Sequence, residues 1–264
     1  MHPRIPSPIW PALQEYLSAM DQKIPGLLSA FYVEGSIALG GFNEQFSDID
    51  FLAILKRYPS ATELVAMQNI HKIVGRNYPR WPISGSYIQQ SALSNGQVDA
   101  IICYEGKLTP RGRFDWNWVD GWTVKNHGIA VIGPEPQTLP VNVDWNQLTK
   151  SMKENLNTYW AGWTRRPYCL SALMLDRGIQ WAILGVLRQY FTFRENTITT
   201  KVKAGEYALD RLPSRWRPLI KEAIQIREGK KTSVSPVRIM RMTEAVKFLK
   251  FIIQACNADA EVIP

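Results

Sequence analysis

Residues 34–55 read EGSIALGGFNEQFSDIDFLAIL, and the reading of this stretch decides the fold. Gly35-Ser36 closes one apolar run, Leu27 to Val33, which is a strand candidate. Gly40 and Gly41 loosen the connection that follows. Ser47-Asp48-Ile49-Asp50 then opens a second apolar run, Ile49 to Leu55. Successive side chains of a strand point to opposite faces, so Asp48 and Asp50 share one face and Ile49 and Phe51 the other. Two neighbouring carboxylates repel unless a cation sits between them, and a hard ion such as Mg²⁺ takes oxygen ligands while leaving room for substrate phosphates. Gly35 permits a close backbone approach to a phosphate, and the Ser36 hydroxyl can donate to it. An Asp-x-Asp pair alone is commonly a solvated turn. The combination of Gly-Ser, an eleven-position step from Ser36 to Ser47, and Ser-Asp-Ile-Asp entering an apolar strand is far less common.

Outward from this stretch the first half mixes helical and strand spacing. Ile9 to Ile24 reads as an amphipathic helix opened by prolines, with Leu13, Tyr16, Leu17 and Met20 on one side. Ala61 to Val74 is helical. Ile83 to Gln90 and Gln97 to Tyr104 read as strands joined by a turn at Asn95-Gly96, and Gly128 to Gly133 is a short strand closed by prolines. From Trp145 onward the spacing is helical: Leu148 to Trp163, Leu170 to Phe193, Lys203 to Leu209, Trp216 to Arg227 and Val237 to Ala255. In the last of these, Val237, Met240, Ala245, Phe248, Leu249 and Ile252 form the stripe of a bundle helix. The proline-rich stretch Gly133 to Pro140 marks a boundary. The predicted fold is therefore α+β: a mixed sheet with helices over residues 1–142, followed by a helical bundle over residues 143–264.

The composition narrows the partners. The chain has 264 residues, a length that holds one large domain or two modest ones and a core that needs no disulfide. No apolar run approaches the roughly 18 residues of a membrane span, and the start, MHPRIPSPIW, lacks the apolar centre of a signal peptide. Cys103, Cys169 and Cys256 are scattered without a CxxC pair, which fits a reducing cytoplasm. His2, His71 and His127 are too far apart in sequence to form a metal site of their own. The formal charge of +8 is uneven: residues 1–142 carry 11 Lys+Arg against 12 Asp+Glu, and residues 143–264 carry 20 against 11. A basic half suits a phosphate-rich partner or is simply a solvated helical surface. Its charges are dispersed over several helices and match no nucleic-acid-binding motif, which argues against nucleic acid.

The stretch GSIALGGFNEQFSDIDFLAIL resembles the signature of the polymerase-β-like nucleotidyltransferase superfamily. Within it, the chain resembles the aminoglycoside adenylyltransferases that modify streptomycin and spectinomycin. NHGIAVIGPEP (126–136) is similar to the end of their catalytic domain, and LGVLRQYFTFRENTITTKVKAGEYALDRLPSRWRPLIKEA (184–223) to their helical domain. The resemblance implies a nucleotidyltransferase domain followed by a helical domain that binds substrate and nucleotide, with ATP and substrate meeting between them. It implies that Gly35, Ser36 and Ser47 hold the triphosphate, that Asp48 and Asp50 are catalytic Mg²⁺ ligands, and that Arg188 and Lys201 reach the nucleotide phosphates. The implied reaction is attack by a substrate hydroxyl on the α-phosphorus of ATP, with pyrophosphate leaving. In relatives that chemistry confers antibiotic resistance.

The pattern breaks at one place. Relatives carry a third carboxylate, the general base, on the strand after the Asp-x-Asp strand. In WPISGSYIQQ the matching position is Ser84, which cannot accept a proton at neutral pH without a base of its own. Asp99 and Glu105 are the nearest acids in sequence, each better read as a surface or turn carboxylate. Asp176 lies near an acidic substrate position of the family. Trp116, Trp118, Trp122 and Trp181 could offer stacking faces, although a core role suits most of them. His127 reads as a turn residue at the sheet edge, and Cys169 and Cys256 as buried and inert. Two functions are thus carried forward. One is an ATP- and Mg²⁺-dependent adenylyltransferase acting on a small-molecule hydroxyl, aminoglycoside-like in kind. The other is a nucleotide-binding protein of the same fold with weak or no transfer activity.

Overall fold

A computed structural model describes residues 2–94, 96–230 and 238–258. The chain divides into two compact units, Met1–Leu148 and Thr149–Pro264. The fold is α+β: a mixed sheet with helices in the first unit and a helical bundle in the second.

The first unit contains α1 (Trp10–Lys23), β1 (Leu28–Val33), α2 (Gly35–Ala38), β2 (Ile49–Leu55), α3 (Ala61–Asn77), β3 (Ile83–Gln89), β4 (Gln97–Tyr104), β5 (Lys107–Asp115), α4 (Val119–His127) and β6 (Ile129–Ile132). The strands form one sheet in the order β5-β4-β3-β2-β1-β6. Among the described residues only the β2–β3 pair is parallel. The reason is the crossover helix α3 between them, since a parallel pair cannot be joined by a tight turn. Helix α3 begins at a capping box: the Ser60 hydroxyl accepts from Glu63 N–H, and the Glu63 carboxylate accepts from Ser60 N–H. Such a cap satisfies two otherwise orphaned donors and contributes about 1 kcal/mol.

Alternation along the strands builds two apolar layers. Phe31, Val33, Ile49, Phe51, Ala53 and Tyr87 face α1 and α3. Ala30, Tyr32, Leu52, Ile54 and Ile88 face the opposite way, toward Trp116 and Val124. Inside the first layer lies a buried polar chain. Tyr16 and Tyr87 share a hydrogen bond through their hydroxyls, Tyr87 is bonded to His71 Nε2, and Cys103 Sγ lies 3.4 Å from His71 Nδ1. Burial holds the His71 imidazole down to about 4, so it is neutral in the folded chain near neutral pH.

Helix α5 (Trp145–Asn155) runs across the unit boundary and continues as a π-helical turn, Leu156–Trp160. The second unit then holds α6 (Pro167–Ala172), α7 (Asp176–Glu195), α8 (Lys201–Arg211), α9 (Arg217–Arg227) and α10 (Arg238–Ala258). Helix α7 is the hub, packed on α6, α8, α9 and α10. Its central position explains why it is apolar on nearly every side. Gly185 is needed there, because a Cβ would stand 2.2 Å from Trp160 Cη2. An ion cluster links three helices of the bundle: buried Arg241 of α10 lies 3.0 Å from buried Glu222 of α9 and 2.8 Å from exposed Asp176 of α7.

Several sequence expectations are corrected. The single helix expected over Leu170 to Phe193 is two, α6 and α7, because residues Leu173–Leu175 form a turn and Asp176 starts a new helix. Strand β5 and helix α4 were not anticipated. β5 is a polar edge strand and α4 lacks an apolar stripe, so neither carries the periodicity that marks the others. Met240 is exposed, at 62%, and the buried residue beside it in α10 is Arg241. Val237, the first member of the expected stripe, and Asn95 of the expected hairpin turn lie outside the described residues. Trp116 is fully buried, whereas Trp181 is exposed and Trp118 and Trp122 are half-buried.

Candidate nucleotide and metal site

The chain turns sharply where β1 ends. Gly35 sits at φ +59°, in the left-handed region that favours glycine, and starts the single turn α2. A Cβ there would stand 2.0 Å from Asp50 Oδ2 and 2.8 Å from Asp50 Cβ. Only a glycine lets the Asp50 side chain lie against this backbone. Ser36 follows at the start of the turn, and its hydroxyl donates to Ser47 Oγ at 3.1 Å. Ser47 Oγ also accepts from Asn43 N–H at 2.9 Å. The two hydroxyls, eleven positions apart in sequence, are therefore neighbours at one end of the sheet. Asp48 is half-buried beside them and Asp50 is the second residue of β2.

Sheet register places a row of side chains across three strands. In the antiparallel β1–β2 ladder Val33 is opposite Phe51, on the apolar face toward α1 and α3. The next pair, Glu34 and Asp50, therefore faces the other way, and Glu34 N–H donates to Asp50 O at 2.9 Å. In the parallel β2–β3 ladder Asp50 is paired with Ser84, again on that face. Glu34, Asp50 and Ser84 thus stand side by side. Ser84 is buried, and its hydroxyl accepts from Glu105 N–H at 3.0 Å. Asp120, in the first turn of α4, is exposed on the same side.

The electrostatics are dominated by Glu34. It is only 6% exposed, one carboxylate oxygen accepts from Gly35 N–H, and Oε2 is buried without a hydrogen-bond partner. Burial raises its carboxyl well above the usual range, and the negative charges of Asp120, Asp50 and Asp48 push the same way. The charges acting on Glu34 are thus those of three other carboxylates. Asp48 and Asp50 carry oxygens of the kind a hard divalent cation takes, and Gly35, Ser36 and Ser47 lie at the turn beside them. Among the described residues no three His, Cys, Asp or Glu side chains are close enough to enclose a metal by themselves. Mg²⁺ is typically held by one or two carboxylates plus phosphates and water.

Other sequence candidates fall elsewhere. Asp99 is exposed on β4 and lies 3.8 Å from Arg113. Glu105 is in the β4–β5 turn with its side chain exposed, at φ +47°. His127 ends α4, its carbonyl accepts from Arg4 at 2.7 Å, and burial and the Arg4 charge lower its imidazole. Cys169 and Cys256 are buried and are not joined in a disulfide. Asp176 belongs to the bundle's ion cluster. Within the second unit, Arg188 is half-buried in α7, and Lys201 opens α8 with its ammonium 4.0 Å from the centre of the Trp181 ring. A surface cleft lined by His2, Trp10, Gln14, Leu17 and Ile132 shares no residue with the Asp50 site. Sequence reasoning missed Glu34 and Asp120. Glu34 was within reach of it, since strand alternation continues from Tyr32 to Glu34. Asp120 was not, because α4 was not anticipated.

Two comparisons with known proteins gave matches. Residues 139–251 match a family model described as "Aminoglycoside adenylyltransferase, C-terminal domain". The structure is similar to that of spectinomycin adenyltransferase AAD(9) from Enterococcus faecialis, solved with ATP and spectinomycin. The TM-score is 0.67 at 13% sequence identity, covering 91% of this chain and 99% of that one. No curated protein matches the sequence significantly. The family match thus lies within the C-terminal part of the chain, and the structural match shows a shared fold.

Proposed function

We propose that this chain, whose helical unit matches the aminoglycoside adenylyltransferase family and whose fold is shared with a spectinomycin adenyltransferase, transfers AMP from ATP to a hydroxyl of a small molecule. The observation that carries the reading is the seating of Asp50 against Gly35, with Ser36, Ser47 and Asp48 around it. Asp48 and Asp50 would hold Mg²⁺ together with the triphosphate, and the ion when bound neutralises phosphate charge during displacement. Ser36 and Ser47 orient the phosphates through their hydroxyls, and the left-handed Gly35 keeps the backbone out of the way. We assign Arg188 and Lys201 to the nucleotide phosphates. The acceptor oxygen forms a bond to the α-phosphorus, the bond to the β-phosphate oxygen breaks, and pyrophosphate leaves. The acceptor's proton passes to solvent, because the Ser84 hydroxyl is not a base that can take it at neutral pH. An aminoglycoside-like polyol is our choice of acceptor, from the family match of the helical unit. The protein is assigned to the cytoplasm. Among the described residues no helix is long and apolar enough to cross a membrane.

A second reading is a nucleotide-binding protein with weak transfer, and Ser84 beside Asp50 is the observation that favours it. Calorimetric titration of ATP with and without Mg²⁺, on wild type and Asp50→Asn, tests the site. Binding that ignores both the metal and the substitution sinks the metal–triphosphate assignment. Pyrophosphate release across a panel of aminoglycosides tests the reaction. Tight ATP binding with no release from any of them selects the second reading for that acceptor class.

A further inference from the structure

The carboxylate missing at Ser84 has a counterpart on the other side of Asp50. β3 brings a hydroxyl to one flank of Asp50, already engaged by Glu105 N–H. β1 brings Glu34 to the other flank, locked there by the bond from its N–H to Asp50 O. A carboxylate that is nine-tenths buried normally has partners for both oxygens. Glu34 has one for only one of them, and Oε2 is left without. The charges that face it are those of Asp120, Asp50 and Asp48, all negative. A buried carboxylate oxygen without a donor is one that the waters of a bound cation can complete. Mg²⁺ keeps several of its waters, and these let it reach carboxylates that it does not touch.

We infer that Glu34 is the third carboxylate of the cation site, placed on the β1 flank of Asp50 instead of the β3 flank, and that it holds the divalent cation through the cation's bound waters. The inference rests on the metal–triphosphate reading above. It makes Glu34 a positioning residue for the ion, reached from the strand that precedes Gly35-Ser36, and gives its unpartnered Oε2 a donor.

The test is a titration of the full chain with Mn²⁺ in the presence of a non-hydrolysable ATP analogue, followed by calorimetry and by the electron paramagnetic resonance of free Mn²⁺. Three proteins are compared: wild type, Glu34→Gln and Asp50→Asn. The expected result is a loss of Mn²⁺ affinity in Glu34→Gln of about 10–100-fold, the usual effect of removing an outer partner of a metal. Asp50→Asn should lose at least as much. Unchanged Mn²⁺ affinity in Glu34→Gln, with a clear loss in Asp50→Asn, overturns the inference and leaves the site reading intact. No Mn²⁺ binding by wild type, or none lost in Asp50→Asn, overturns the site reading and the inference with it. The substitution to Gln is nearly isosteric. If circular dichroism shows that it does not fold, Glu34→Asp is read in its place, with weakened Mn²⁺ binding expected and unchanged binding overturning the inference.

Discussion

Replacing Gly35 by alanine separates the two demands that the structure makes of that position. One is conformational. At φ +59° an L-residue pays about 1–2 kcal/mol for the left-handed region. The other is steric. The added Cβ would stand 2.0 Å from Asp50 Oδ2, 2.7 Å from its Cγ and 2.8 Å from its Cβ, where ordinary contact begins at 3.4 Å. The carboxylate must therefore retreat by about 1.4 Å, and because Cγ and Cβ are also crowded it cannot do so by swinging its tip alone. Gly40 is the control. It has a similar φ of +71°, and a Cβ there meets nothing within 4 Å. Both variants should lose about 1–2 kcal/mol in urea denaturation, with Gly35→Ala losing more. Only Gly35→Ala should lose Mg²⁺-dependent ATP binding and transfer, the latter by about 10²-fold or more, because a displacement near 1 Å at a reacting centre costs that much. Equal Mg²⁺–ATP affinity in the two variants would falsify the claim that Asp50 is seated by this glycine.

Three further outcomes follow from the same structure. Ser84→Glu adds an acid beside Asp50 at the cost of the bond from Glu105 N–H; if Ser84 occupies the base position, transfer should rise within the 10²–10⁴-fold range of general-base effects, and an unaffected rate refutes that register. His71, held down to about 4 against an ordinary 6.5, is neutral when folded but takes a proton when unfolded, so stability is full above pH 6.5 and falls as pH drops toward 4, by up to about 1.4 kcal/mol per unit. His71→Gln should flatten that part of the urea-denaturation profile, and a wild-type slope retained by the variant contradicts the assignment. Glu222→Gln should cost about 3 kcal/mol by leaving Arg241 buried with Asp176 as its remaining acidic partner, and adding Arg241→Met should recover much of it; a neutral Glu222→Gln would mean the pair is not coupled.

The legible parts of this protein are those whose signal is local. Leu28–Val33 and Ile49–Leu55 announce themselves as apolar runs, and both are strands. Ala61–Asn77 carries helical spacing and its own cap. The Gly-Ser and Asp-x-Asp elements also stand in plain sequence, because a left-handed turn requires glycine and a strand start can be read from alternation. β5 was not legible. Its residues Lys107–Asp115 are mostly exposed, and what makes them a strand is the open edge of β4, whose backbone groups need partners. The break between α6 and α7 was hidden by an apolar pattern that runs through both, since α7 is buried on nearly all sides by four other helices.

The amino-acid sequence by itself therefore determined the order of elements, the mixed sheet followed by helices, and the presence of two serines and two aspartates around one turn. Tertiary structure decided which side chains become neighbours. Antiparallel pairing of β1 with β2 brings Glu34 to Asp50, parallel pairing of β2 with β3 brings Ser84 to its other side, and the docking of α4 brings Asp120 to the same face. The physical reason is register. A shift of one residue in either ladder would turn Glu34 or Ser84 to the opposite face, and register is set by the burial of Val33, Phe51 and their neighbours across the whole sheet, which no short stretch of sequence contains.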